Sequence, residues 1–444
     1  MDMAMHGGGQ NRANLKNGVV RMPVVCARPC SSVVFLCFSL SCLLAPRCTG
    51  AADTRPGVHN PLHEYHTRAV NDRFTRFLAS WDAGDTAHID LSGDLPFLRS
   101  LLKELEVPVS SQMLVFTATS LQKGLISARN PRALYFNDDT YVGFVPRGRI
   151  EIISLDPALG GIFFIFDRLK PGLRPVAHRS TDCMTCHAPQ HMDSVPGLVI
   201  ESVIPGLTGG GERAFRRQQS GHAVPLAERF GGWHLTGIGP EMPEHYGNLL
   251  IVRKNGEANE LPNPPGERSD LSRYLLSTSD LLAQLLHEHQ AGFVNRAMQA
   301  AYHWREYSAA GSVSESQLAD LAAPLVRYLL FAEESPLQPG MLGDSPFAAD
   351  FAAAAKRDSA GRSLRDLDGQ TQLLRHRCSY MIYSPAFTGL PAPLQQRVLR
   401  DLAAALADSA TASHLPAAER ASLRQILAET LPEFAALASP SASP

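Results

Sequence analysis

The run Cys183-Met184-Thr185-Cys186-His187 carries the most specific chemistry in the chain. Two thiols separated by two residues sit on one helical turn, where they can reach the two vinyl groups of a porphyrin and form thioethers. The adjacent imidazole can then swing under the iron as its proximal ligand. Ser180, Thr181 and Asp182 lie just upstream and are residue types that cap a short helix. The spacing therefore predicts one haem c, with Cys183 and Cys186 as thioether positions and His187 as the proximal iron ligand. Other chemistries fit less well. A zinc ribbon needs four ligands, usually from a second Cys-x-x-Cys, and Cys378 is the one cysteine after the motif. A thioredoxin-type dithiol follows a strand and opens a long helix, which Pro189 opposes.

The chain begins with what reads as a secretory signal. Residues 33–45, VVFLCFSLSCLLA, are thirteen almost wholly apolar positions with Arg28 before them and Thr49, Gly50, Ala51 and Ala52 after them. That order of charged, apolar and small residues marks a signal peptide, and the apolar run is too short to span a bilayer. Residues 1–52 are accordingly expected to be removed on export to the periplasm. Five of the eight cysteines, Cys26, Cys30, Cys37, Cys42 and Cys48, fall in that segment. Two more belong to the motif, and Cys378 stands among apolar neighbours as a small core residue. No pair is left for an internal disulfide, and the two motif thiols are available for haem.

Composition narrows the partners. Residues 1–52 hold five of the 41 basic residues and one of the 43 acidic ones, so the remainder keeps 36 against 42. A mild acidic excess without basic clusters gives no reason to expect nucleic acid. No later stretch reaches the eighteen apolar residues of a transmembrane helix, so no membrane anchor is expected in the mature chain. A redox partner is expected, and the sequence does not define it.

The elements that must position the motif change character along the chain. Residues 53 to about 110 read as helical, with 68–81 and 95–105 as candidates. From 112 to 253 strand signals dominate. A turn at Asn137-Asp138-Asp139 and another at Arg147-Gly148 separate short β-like runs, and GIFFIF, GLVIESVI, WHLTGI and NLLIVR follow. Residues 255–268 are rich in Gly, Pro, Asn and Glu and read as linker. Beyond them helices are expected at 279–306, 316–333, 361–376, 393–408 and 417–427, and the Ala/Ser/Pro-rich tail is expected to be disordered. The predicted fold class is α+β. A signal peptide (1–52) precedes a mixed, β-containing haem region (53–255). A linker (256–270), a mainly helical region packing on the haem region (271–434) and a disordered tail (435–444) follow. About 130 mature residues precede the motif and more than 250 follow it, far beyond the one modest domain that an electron-carrying cytochrome needs.

The sixth iron ligand decides between closed electron-transfer chemistry and an iron open to small molecules. Candidates after the motif are His191, Met192, His222, His234, Met242, His245 and His289. His191 and Met192 are too near His187 to turn back across a porphyrin. Met242 and His245 lie 55 and 58 residues after His187, in the loop GPEMPEHYGN between two β-like runs, and His245 is the favoured ligand, with His222 next. His222 is also a candidate distal acid or base. His289 shares an apolar helical face with Leu282, Leu286 and Phe293, which makes a hydrogen-bonded core histidine the simpler reading.

Several strings, including ISARNPRALYFNDDTYVGFV, DCMTCH, VPGLVIESVIP, PLAERFGGWHLTG, HYGN and GRSLRDLDGQTQLLRHRCSYMIYSPAF, resemble a family of exported bacterial single-haem cytochrome-c-domain proteins. The likeness covers nearly all of the mature chain and implies haem binding and export, without implying a substrate. Members of that family commonly carry Met after the His of the HYGN string, where this chain has Tyr246, which leaves His245, Tyr246 or an open position at the iron. Two function classes remain: a periplasmic single-electron carrier, which is favoured, and a peroxidase- or oxidase-like haem enzyme.

Overall fold

A computed structural model describes residues 56–438 apart from 86, 171–172, 217–219 and 409–410. The segment read as a signal peptide and the last six residues lie outside the described part.

Two helices open the fold. In α1 (Arg73–Asp82) the Asp72 side chain caps the Thr75 N–H, and in α2 (Asp94–Glu104) the spacing of Leu98, Leu101 and Leu102 buries one face. Each overlaps the range its periodicity predicts, α1 ending one residue later and α2 starting one residue earlier. They pack on a six-stranded antiparallel meander, β1 (Met113–Val115), β2 (Arg132–Phe136), β3 (Thr140–Phe144), β4 (Ile150–Asp156), β5 (Gly160–Phe166) and β6 (Ala177–Arg179), whose spatial order is its chain order. The expected turn after β2 forms because the Asn137 carboxamide accepts the Asp139 and Thr140 N–H groups.

Alternation along the strands divides the sheet into two faces. One, with Tyr135, Val142, Ile152, Phe164 and Phe166, packs with Phe74, Trp81 and Phe97 of α1 and α2. The other, with Met113, Val115, Phe136, Tyr141 and Leu155, joins a larger core built from the C-terminal helices. All seven residues of β5 are buried, which explains why GIFFIF is a continuous apolar run rather than an alternating one.

After β6 come the one-turn helix α3 (Met184–His187) and two hairpins, β7 (Ser202–Pro205) with β8 (Gly211–Arg216), and β9 (Leu249–Lys254) with β10 (Glu257–Pro262). The stretch read as linker therefore supplies a strand. Lys254 pairs with Glu257, and the two residues between them, Asn255 and Gly256, both have positive φ, the Asn-Gly arrangement of a tight hairpin. WHLTGI, in contrast, forms no ladder and touches its neighbours through single bridges at Trp233, Thr236 and Ile238.

The helical remainder comprises α4 (Leu281–Ala310), α5 (Glu315–Leu329), α6 (Phe347–Ala353), α7 (Pro385–Thr388), α8 (Ala392–Ala407), α9 (Ala417–Thr430) and α10 (Pro432–Ala438). The Asp280 side chain caps α4, and α5 opens with a capping box between Ser314 and Gln317. The helix expected over 361–376 is absent. There the carboxylates of Asp366 and Asp368 accept the Ser363, Gln370 and Thr371 N–H groups and Gly369 takes φ +67°, so side-chain turns outcompete the helix. The coarse α+β class is what the structure has, and the described residues form one compact unit. Among the described residues no helix is long and apolar enough to cross a membrane.

Candidate haem site

The edge strand β6 delivers the motif, and the Ser180 N–H continues its pairing by donating to Phe163 O at 2.8 Å. The chain then turns once: the Cys186 and His187 N–H groups both donate to Cys183 O, at 3.2 and 3.0 Å. Met184 is buried and anchors the turn. The expected side-chain cap from 180–182 is not made; Cys183 itself is the N-cap, with no side-chain hydrogen bond to the helix. Cys183 is half-buried, Cys186 is exposed, and both thiols are free. Burial pushes the Cys183 thiol up from its ordinary range, which keeps it protonated at neutral pH.

His187 is held more tightly than its neighbours. Its ring packs on Phe163 with centroids 4.7 Å apart, and its Nδ1 lies 2.9 Å from Gly197 O. A carbonyl can only accept, so Nδ1 carries the proton. Nε2 makes no hydrogen bond to any described residue, and its lone pair is the one left for a metal. Burial lowers the pKa of His187, with the Arg132 cation adding to the effect and the Gly197 bond opposing it. The ring is therefore neutral, as a ligand must be.

The acceptor is itself fixed from a distance. Gly197 N–H donates back to His187 O at 2.8 Å. Asn295 of α4 clasps the next residue from both sides, its Oδ1 accepting from Leu198 N at 2.8 Å and its Nδ2 donating to Leu198 O at 2.9 Å. A Cβ on Gly197 would collide with Met192 and with the Asn295 carboxamide, so only glycine permits this approach. Sequence reasoning missed Gly197 and Asn295. The one local signal was the glycine after Pro196.

The residues present fit a haem. Two free thiols and an imidazole whose Nε2 bonds to no described residue lie on one turn. Nearby, Arg132 pairs with Glu151 at 3.2 Å, yet its Nε is buried without a hydrogen-bond partner and could answer an acidic substituent such as a propionate. Among the described residues no three His, Cys, Asp or Glu side chains converge to hold a bare metal ion.

No hydrogen bond, ion pair or ring contact joins His187 to His222, His245 or His289. His191 is exposed and Met192 is buried against Gly197. His234 is fully buried beside Phe116, and burial lowers its pKa to about 4. Met242 and His245 are half-buried in the predicted loop. The Gly247 N–H donates to His245 Nδ1 at 3.0 Å, which places the proton of the neutral ring on Nε2. His289 is fully buried with both ring nitrogens bonded, Nδ1 to His222 Nδ1 and Nε2 to Ser379 Oγ, each at 2.7 Å.

Set against known proteins, the chain matches no family model, no curated protein and no solved structure.

Proposed function

We propose that this chain is an exported c-type cytochrome that passes single electrons in the periplasm. In this reading Cys183 and Cys186 hold one haem through thioethers and His187 is the proximal iron ligand. The observation that carries it is the bond from His187 Nδ1–H to Gly197 O at 2.9 Å. That bond fixes the tautomer and leaves Nε2 unprotonated, with its lone pair available to a metal. The resemblance of DCMTCH, PLAERFGGWHLTG and HYGN to exported single-haem proteins supports the same reading. When bound, the haem supplies one-electron chemistry. The chain's own part is to orient the imidazole, to keep it neutral by burial, and to offer Arg132 to a carboxylate.

A second reading, a haem enzyme with an open sixth position, is favoured by one observation. His245 accepts a hydrogen bond at Nδ1 and so presents Nε2–H, a donor suited to a small iron-bound molecule. Ligation of iron by His245 would require that turn to reorganise.

The test is an optical and EPR spectrum of protein matured in a periplasm. Low-spin ferric iron with two nitrogen ligands, turning high-spin in His245→Gly, is expected of the electron carrier. High-spin wild-type iron that reacts with peroxide would favour the enzyme. His187→Ala should keep the covalent haem and change the spectrum. Haem that extracts into acidic organic solvent from wild-type protein would overturn both readings.

A further inference from the structure

The His222–His289 pair borders a pocket on the helical side of the molecule. His222 is sandwiched between Tyr328 and Phe331, with centroids at 4.1 and 4.4 Å and planes within 17°. The close approach depends on two glycines. A Cβ on Gly292 would collide with the Tyr328 hydroxyl and with Gly221. The pocket, of about 280 Å³, is lined by His222, Arg296, Tyr328, Arg327 and Glu333, among others.

The protons of the chain can be assigned by satisfaction. Ser379 Oγ accepts from Met381 N–H, and the acceptor within reach of its own hydroxyl is His289 Nε2 at 2.7 Å. With Ser379 donating there, the His289 proton lies on Nδ1 and donates to His222 Nδ1 at 2.7 Å. The His222 proton then lies on Nε2, which makes no hydrogen bond to a described residue. Burial keeps both rings neutral, pushing His222 well down and His289 down to about 3.

Cations outnumber carboxylates around the pocket: Arg229, Arg296 and Arg327 against Glu288 and Glu333. Arg296 lies 4.3 Å over the Tyr328 ring and bonds to backbone carbonyls at Gly292 and Ser220. Among the described residues it has no carboxylate partner. Arg229 also faces His222, donating to its carbonyl. Arg327 stands at the rim, paired with Glu333, and Glu288 is turned to the Gly221 N–H.

We infer that this pocket binds a small oxyanion, a carboxylate or phosphate group, gripped by Arg296 with Arg327 and by the Nε2–H that Ser379 and His289 fix on His222. The inference is independent of the haem reading. Fixed donors and an unpaired cation in a partly enclosed site are what an anion needs to replace its water.

The test is calorimetric titration of the full mature protein with inorganic phosphate and, separately, with succinate. Saturable one-to-one binding of at least one is expected, and which one binds assigns phosphate or carboxylate. Arg296→Gln should weaken it at least tenfold, with partial recovery in Arg296→Lys. His222→Phe, which keeps the ring stack and removes the N–H, should also weaken it. Should either of these variants fail to fold, Arg327→Gln at the exposed rim should still weaken binding severalfold. Absence of binding for both probes, or affinities unmoved in the folded variants, would overturn the proposal.

Discussion

His187 is half-buried and His222 buried; both are neutral and both pack on aromatic rings, and they are prepared for opposite tasks. At His187 a backbone carbonyl takes the Nδ1 proton and leaves an electron pair at Nε2. At His222 a second histidine fills Nδ1, and the proton is left at Nε2. The residue type is the same, and what sets the proton's position is the atom facing Nδ1. His245, with a backbone N–H at Nδ1, belongs with His222. A histidine's position in sequence is thus a weaker guide to ligation than the group bonded to its far nitrogen.

The largest expected effect breaks the first half of the comparison. Cys183→Ala combined with Cys186→Ala should abolish haem retention in denaturing electrophoresis. The intact mass should fall to that of the bare mature chain, against chain plus one haem in the wild type. A next, smaller effect sharpens it. Asn295→Leu removes the clasp on Leu198, loosens the carbonyl that orients His187, and should weaken the imidazole–iron bond by roughly ten- to a hundredfold, read as faster displacement by cyanide and a shifted reduction potential. An unmoved potential in a folded variant would mean that Gly197 is held well enough without the clasp.

The second half is tested by His289→Ala. It leaves a cavity and strands Ser379 and His222, so it should cost about 2–4 kcal/mol of stability in urea unfolding while leaving the haem spectrum unchanged. A spectral change would tie the pair to the iron. The smallest effect is on pH. His287 and His289, lowered by burial to about 3, and His234, lowered to about 4, stay neutral in the native state below the pH at which the unfolded chain protonates them. The unfolded state then binds more protons, so their contribution is present above about pH 6.5 and is lost as pH falls toward 4, by about 1.4 kcal/mol per pH unit for each group. Glu334, raised by burial to about 7, works in the opposite direction between about 4.5 and 7 and offsets one histidine there. Urea midpoints measured across that range should decline on acidification, and His289→Gln should flatten the slope.

Much of this was legible in the chain. The motif stood out because its chemistry is local, and α1, α4, α5, α8 and α9 followed their periodicity. The hairpin formed by β9 and β10 was also readable: Asn255-Gly256 is a turn signal that composition alone made look like linker. What could not be read is non-local. Whether 361–376 forms a helix was decided by Asp and Ser side chains finding nearby N–H groups. The support of His187 was decided by Asn295 on a helix about a hundred residues away. Neither leaves a periodic trace.

That separation has a kinetic consequence. Asn295 and Leu198 stand 97 residues apart in sequence, so their contact carries a large loop-closure cost and forms only after the chain between them has compacted. Cys183 and Cys186 are neighbours on one turn and need no such event. In the haem reading proposed above, the thiols are competent for attachment while the chain is still open, and the Asn295 clasp beside the carbonyl that orients the imidazole forms only when α4 docks.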